Sequence, residues 1–415
     1  MAFAYRNGVL CAEDVPLDSI AARFGTPCYV YSRSAIEEAY GEFVRALDGR
    51  AGVVCYSVKA NSNLSILRVL AHLGAGFDIV SGGELARVLA AGGDPGKIVF
   101  SGVGKSEAEI RLALDKNIGC LNIESEAELE RVAAIARQTK KRAPIALRVN
   151  PDIDARTHPY ISTGLRENKF GIAHAEAERL YRRAAGMPEL ELVGIGCHIG
   201  SLLVDSAPFV AAAQKLVALV DRLETAGIRL RHVDVGGGIG IRYKDEEPQP
   251  IATFVRGAID ALGGRRHTLI FDPGRSIVGN AGVLVTRVEY VKPGAARNFL
   301  VVDAAMNDLI RAPLYDAWHE VRTVRERDER ALHEVYDVVG PICESADFLA
   351  RDRRLAAGAG DLLAILSAGA YGMSMSSNYN SRPRAAEVLV DGPDARLVRR
   401  RESIEELFRG EQLPE

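Results

Sequence analysis

The chain has 415 residues, 47% of them hydrophobic and 26% charged, with a net charge of -3. Nothing in that near-neutral balance favours nucleic acid or an anionic membrane as a partner. The length exceeds what one ordinary core uses and suits two domains, or a barrel of about 250 residues with a companion.

The N-terminal stretch from Met1 to Arg6 runs into Glu13 and Asp14 without the apolar core of a signal peptide, and no apolar run approaches the length of a membrane span. A cytoplasmic location is therefore expected. The cysteines Cys11, Cys28, Cys55, Cys120, Cys197 and Cys343 form no C-x-x-C pair and have no histidine at metal-ligand spacing. They read as small buried hydrophobes in a reducing compartment, Cys343 excepted, and no metal site is expected.

Residues 1–33 carry strand-like pieces around Gly8-Val9-Leu10 and Cys28-Tyr29-Val30-Tyr31, separated by a short polar helix. Ser34 reads as the N-cap of a helix over 35–47, and from there short β-branched runs alternate with amphipathic stretches into the 270s. Eight strand-like runs fall at 53–58, 77–80, 98–100, 118–123, 145–149, 192–197, 232–235 and 268–271. Helical patterns at 81–91, 106–116, 126–139, 175–185 and 207–226 lie between them. This predicts an α/β fold, a (β/α)8 TIM-type barrel over 34–277, with an open doubly wound sheet as the alternative.

After Ile277 the helical alternation stops. Runs at 282–291, 298–302, 335–339, 361–366 and 387–390, set off by Gly, Pro and Asp, predict a mainly β domain over 278–415 that also takes in residues 1–33. The charge blocks from Arg399 to Glu415 read as a solvated terminal helix.

A barrel does its chemistry at the carboxyl ends of its strands. Here those ends carry Lys59, Asp78, Ser101, Asn122 with Glu124, Arg148 with Asn150, His198, Gly236 and Asp272. Lys59 ends an apolar run and precedes a turn-forming Asn-Ser-Asn; it is either a solvated loop lysine or a desolvated amine able to form a Schiff base. Gly236-Gly237-Gly238-Ile239-Gly240 can turn several backbone N–H groups toward one anion, yet it lacks the G-x-G-x-x-G of a dinucleotide site. Ser101-Gly102-Val103-Gly104-Lys105-Ser106 is not a P-loop, because Val99 stands inside a strand where a glycine is needed; Lys105-Ser106 reads as a loop and helix N-cap. Asp272-Pro273-Gly274-Arg275 could pair with a heterocyclic nitrogen and an anion, or form only an internal salt bridge. His198 could lie against a planar cofactor with Ser201 on its phosphate, or be a hydrogen-bonded core histidine.

Taken together, Y-S-V-K-A-N at 56–61, H-I-G-S at 198–201, G-G-G-I-G at 236–240, D-P-G-R at 272–275, C-E-S at 343–345 and A-Y-G-M at 370–373 resemble the diaminopimelate decarboxylase family. These are fold type III, alanine-racemase-like decarboxylases that use pyridoxal 5'-phosphate. The resemblance runs from the first strands to about Pro383. It implies decarboxylation of meso-2,6-diaminopimelate to L-lysine and CO2, the last step of lysine biosynthesis. It also implies that Lys59 carries the cofactor, His198 stacks on its ring, Asp272 holds the ring nitrogen, and Ser201, Gly236, Gly237, Gly238, Gly240 and Tyr371 hold the phosphate. Asp78, Gly274 and Arg275 join the cofactor-binding set. Relatives usually have glutamate where this chain has Asp272, which retracts the carboxylate by roughly one C–C bond, ~1.5 Å.

The family builds its site across a homodimer. Cys343, placed to protonate Cα, Glu344, placed to bind the distal ammonium, and Ser345 would come from the second subunit. Arg275, Arg311 and Tyr315 would hold the distal carboxylate, and Tyr371 would also line the substrate. Two other readings remain open: a sister decarboxylase of ornithine, arginine or carboxynorspermidine, and a non-catalytic pyridoxal phosphate carrier. The carrier resembles a lone barrel, so the β domain argues against it. The loop 152–169 is a candidate lid.

Overall fold

The protein, a computed structural model, is described over residues 2–153, 169–327 and 333–414. Most of the candidate lid, 154–168, lies outside the described residues. The chain divides into two units. One comprises Ala39–Arg242 and Glu246–Ser276; the other comprises Met1–Glu38, Tyr243–Asp245 and Ile277–Glu415.

The first unit is a closed parallel barrel. Its strands are Gly52–Ser57, Gly76–Ile79, Ile98–Phe100, Cys120–Ile123, Ala143–Asn150, Leu190–Gly196, His232–Asp234 and Thr268–Phe271, each paired in parallel with the next. Leu269–Phe271 also pair with Gly52–Val54, so the last strand meets the first, and the open sheet is excluded. The β-branched and apolar runs form strands because both faces are covered: helices pack outside, and buried strand residues (Cys55, Val99, Cys120, Ala146, Val193, Ile270) form one apolar cluster.

Serines set the helix starts. Ser81, Ser106 and Ser125 accept backbone N–H groups at the openings of Gly82–Ala90, Glu107–Asp115 and Glu126–Thr139. Ser106 and Glu109 form a reciprocal capping box, so 101–106 is the loop and helix start its sequence suggests. The helix predicted from Ser34 is Arg33–Ala46 instead. Its cap is Ser32, whose Oγ accepts the Ala35 N–H at 3.1 Å.

One glycine in the sixth strand has a steric reason. A Cβ on Gly194 would lie 2.0 Å from Nε2 of His232, its register partner on the seventh strand. The imidazole fills the space the missing side chain leaves.

The second unit is mainly β. Its long strand Gly282–Lys292 pairs antiparallel with Cys28–Ser32 and Leu362–Ile365 along its first half, and with Asn298–Val302 along its second. Glu334–Val339 and Phe348–Leu355 extend the sheet on one side, Ala386–Asp391 and Asp394–Arg399 on the other. A separate three-stranded sheet holds Phe3–Arg6, Val9–Ala12 and Val15–Pro16. Its core includes Leu10, Leu17, Ile20, Cys28, Val30, Val283, Val285 and Val388.

The predicted terminal helix is not formed. Of that stretch only Arg399 is in a strand, Asp394–Arg399, which pairs with Ala386–Asp391, and the rest forms only a short 3-10 turn, Ile404–Phe408, which buries no residue against a partner face. Five cysteines are buried and Cys343 is exposed. Among the described residues no helix is long and apolar enough to cross a membrane.

Candidate active site

Lys59 sits in a 3-10 turn, Val58–Ala60, directly after the first barrel strand, with Val58 and Ala60 buried on either side of it. Its Nζ donates to Asp78 Oδ2 at 2.8 Å and to Ser57 Oγ at 3.3 Å. Asp78 is the next-to-last residue of the second strand and its side chain is 2% exposed, whereas that of Lys59 is 37% exposed. Burial alone would raise the Asp78 carboxyl, but the Lys59 charge and hydrogen bonds from Lys59, Ser101 and Ser57 outweigh it and hold the pKa below its ordinary value. The amine thus stands on a persistent carboxylate at the rim.

The glycine run is packed so that no side chain can enter. A Cβ on Gly236 would lie 2.6 Å from the Cys197 carbonyl, on Gly237 2.4 Å from the Asp272 carbonyl, and on Gly238 2.0 Å from the Gly200 carbonyl. Gly236 and Gly238 also have positive φ, 80° and 84°. The run is tied to the loop after the sixth strand: Leu203 N–H donates to the Gly238 carbonyl at 2.9 Å and Gly240 N–H to the Leu203 carbonyl at 2.8 Å. Below it, Gly236 N–H donates to Asp234 Oδ1 at 2.9 Å. Burial first, then the neighbouring Asp272 charge, push the Asp234 carboxyl well above its ordinary range.

Asp272 Oδ1 is buried with no hydrogen-bond partner among the described residues, and His198 Nδ1 lies 3.6 Å from it. Gly274 lets the loop after the eighth strand close on the first: a Cβ there would lie 2.9 Å from Cβ of Ala60. Ser57 N–H donates to the Pro273 carbonyl at 2.9 Å. Arg275 is buried at the head of the short helix Arg275–Val278, and Ser201 is half-buried. Further round the rim, Arg148 pairs with Glu124 at 2.8 Å. Lys105 uses its three N–H groups on the Gly102 and Asn122 carbonyls and on Glu128, which makes it a structural lysine. Glu84, which accepts the Val80 N–H at 2.7 Å, is pushed up to about 7 by burial.

Within the β unit the remaining candidates lie on three segments. Arg311, buried, opens the helix Arg311–Tyr315, and half-buried Tyr315 closes it. Cys343, Glu344 and Ser345 are exposed on the loop between Glu334–Val339 and Phe348–Leu355. Cys343 N–H donates to Asn380 Oδ1 at 2.8 Å, and Tyr379 Oη donates to Glu344 Oε1. Asp347 fastens the loop base by accepting the Met306 and Ile342 N–H groups, both at 2.7 Å. Tyr371 is half-buried with φ of 55°, a left-handed conformation that is costly for an aromatic residue.

Sequence reasoning missed Asp234, which stands inside a strand run, and Tyr379 and Asn380, which no motif marks. For Asp234 the available signal was an acid two residues before a glycine run.

The barrel residues fit a pyridoxal phosphate. A lysine amine, an unpartnered buried carboxylate oxygen and a cradle that any Cβ would fill match an aldehyde, a protonated ring nitrogen and a phosphate. Comparison with known proteins points the same way. Residues 33–279 match the family model of the pyridoxal-dependent decarboxylases, in their pyridoxal binding domain. The diaminopimelate decarboxylase of Pseudomonas aeruginosa is 59% identical over 411 residues, covering 99% of each chain. That of Vibrio cholerae is 54% identical over 411 residues, covering 99% of this chain and 98% of its own. Diaminopimelate decarboxylase from Helicobacter pylori, solved with L-lysine, superposes with a TM-score of 0.91 at 45% identity, covering 95% of this chain and 98% of its own. The M. jannaschii enzyme, also with L-lysine, gives 0.95 at 36% identity, covering 100% and 98%. The chain belongs to the pyridoxal-dependent decarboxylases, within the diaminopimelate decarboxylase family.

Proposed function

We propose that the protein decarboxylates meso-2,6-diaminopimelate to L-lysine and CO2 with pyridoxal 5'-phosphate. The observation that carries the reading is the Lys59–Asp78 pair at the end of the first barrel strand, in a chain 59% identical over its length to a diaminopimelate decarboxylase. Lys59 holds the cofactor through its amine. The 236–240 run, Ser201 and Tyr371 take the phosphate, and His198 covers the ring. Asp272 holds the ring nitrogen, its unpartnered Oδ1 being the acceptor that role needs. When bound, the cofactor is an electron sink for the pair left on Cα as the bond to the carboxylate breaks.

The chain's own groups then orient the substrate and return a proton. Arg275, Arg311 and Tyr315 hold the distal carboxylate, and Glu344, with Ser345 beside it, the distal ammonium. The exposed Cys343 gives its proton to Cα. Cys343 and Glu344 come from a second copy of the chain in a homodimer, and the protein works in the cytoplasm.

A distal group that is only an amine needs one acid and is repelled by arginines, whereas a distal amino-acid centre needs both charges. Two experiments test the reading. Borohydride reduction and peptide mapping should place a pyridoxyl adduct on Lys59, and a substrate panel read by CO2 release should show diaminopimelate far ahead of ornithine, lysine and arginine. An adduct on another lysine, or equal turnover of ornithine, overturns it.

A further inference from the structure

Arg311 is held by a histidine whose protonation the geometry settles. His319 is fully buried. Its Nδ1 lies 2.8 Å from the Leu366 carbonyl and its Nε2 lies 2.7 Å from Arg311 Nη1. A carbonyl can only accept and a guanidinium can only donate. Nδ1 therefore carries the proton, Nε2 is the acceptor, and the imidazole is neutral.

The surroundings keep the ring in that pose. The Leu366 N–H donates to the Glu320 carbonyl at 2.8 Å, so the carbonyl that His319 grips belongs to a pinned strand end. Arg353 donates to the His319 carbonyl at 3.3 Å while its guanidinium lies 3.1 Å from the centre of the Trp318 ring. Tyr243 meets the imidazole edge-on, with ring centres 5.4 Å apart, and carries the Arg311 guanidinium 4.6 Å above its own ring.

We propose that His319 is a positioning residue for substrate specificity: a neutral acceptor that aims Arg311 at the distal carboxylate of the substrate without neutralising it. A carboxylate in its place would orient the guanidinium equally well but would compete with the substrate for the charge. Imidazole fixes direction without adding a negative charge of its own. The proposal rests on the reading of Arg311 as a distal-carboxylate residue.

His319→Asn and His319→Gln separate aiming from packing. Asparagine reaches the position of Nδ1 and keeps the Leu366 contact, whereas glutamine reaches the position of Nε2 and keeps an acceptor for Arg311. The measurements are kcat, KM for diaminopimelate, thermal midpoint, and inhibition by two lysines. L-Lysine, the product, retains the distal carboxylate, whereas D-lysine has only an amine there. His319→Asn should raise KM and the L-lysine inhibition constant about tenfold or more, the scale of a weakened charged contact. It should leave kcat and the D-lysine constant within about threefold, and His319→Gln should leave all of them so. A folded His319→Asn protein with unchanged KM, equal losses for both lysines, or a glutamine variant as impaired as the asparagine one overturns the proposal. Arg311→Lys is the control for the reading beneath it. If KM does not move there, Arg311 does not hold the distal carboxylate and the proposal falls with that reading. If it moves while His319→Asn does not, only the positioning role fails.

Discussion

Asp234 Oδ1 accepts the backbone N–H of Gly236 at 2.9 Å, so the first glycine of the cradle hangs on a carboxyl buried inside the barrel. Burial and the Asp272 charge push the pKa of that carboxyl well above its ordinary value, which favours the uncharged form, and what the loop takes from it is one acceptor oxygen. Asparagine offers the same acceptor. Asp234→Asn should therefore bind pyridoxal phosphate within about threefold of the wild type, while Asp234→Leu, which strands a buried N–H, should bind it about tenfold more weakly. Titration of the apoprotein by absorbance measures both, and equal losses in the two variants would show that charge at this position matters after all.

Asp272 calls for the opposite substitution result. Its Oδ1 is buried with no hydrogen-bond partner among the described residues, and a Cβ on Gly237 would lie 2.6 Å from it, so the glycine keeps a side chain off the oxygen. If it holds a ring nitrogen, charge is what it supplies. Asp272→Asn should retain cofactor yet lose kcat by about 10²-fold, the range seen when one preorganised electrostatic partner is removed. Full activity in a cofactor-loaded Asp272→Asn protein would remove Asp272 from the mechanism.

The barrel was legible because its strands are short β-branched runs punctuated by helix caps, and Lys59 because it interrupts such a run at the end where barrels place their chemistry. Phe348–Leu355 was not, since its Arg-Asp-Arg-Arg core lacks strand composition; its burial comes from contacts far along the chain, such as Arg353 on Trp318. Tyr243–Asp245 groups with the β unit although the surrounding residues belong to the barrel unit, and three residues leave no pattern to read. His319 and Tyr379 act on Arg311 and Glu344 through tertiary contacts alone, which spacing does not encode.

His232 makes stability depend on pH. Burial first, with the Arg231 and His267 charges added, lowers its pKa from 6.5 to about 4. Between those values the unfolded chain binds a proton that the folded one refuses, so stability rises with pH through this window and falls on acidification. The full effect is on the order of 3 kcal/mol, present above the unfolded pKa and lost as pH approaches about 4. His232→Gln does not titrate, so the drop in thermal midpoint between pH 7 and pH 5 should be smaller than in the wild type. Identical drops would mean that the loss comes from other groups.

The two-unit arrangement leads to a test of how the site is assembled. Lys59 belongs to the barrel unit and Glu344, gripped by Tyr379, to the β unit. If each site takes Lys59 from one subunit and Glu344 from the other, Lys59→Ala and Glu344→Ala proteins should each be inactive alone and complement each other when mixed. A hybrid dimer then has one site with both defects and one with neither. Random exchange makes about half of the dimers hybrids, so activity should recover to about a quarter of the wild type. Native mass spectrometry of differently tagged chains reports whether exchange has occurred. Confirmed hybrids without recovered CO2 release would mean that Lys59 and Glu344 serve the same site from one chain.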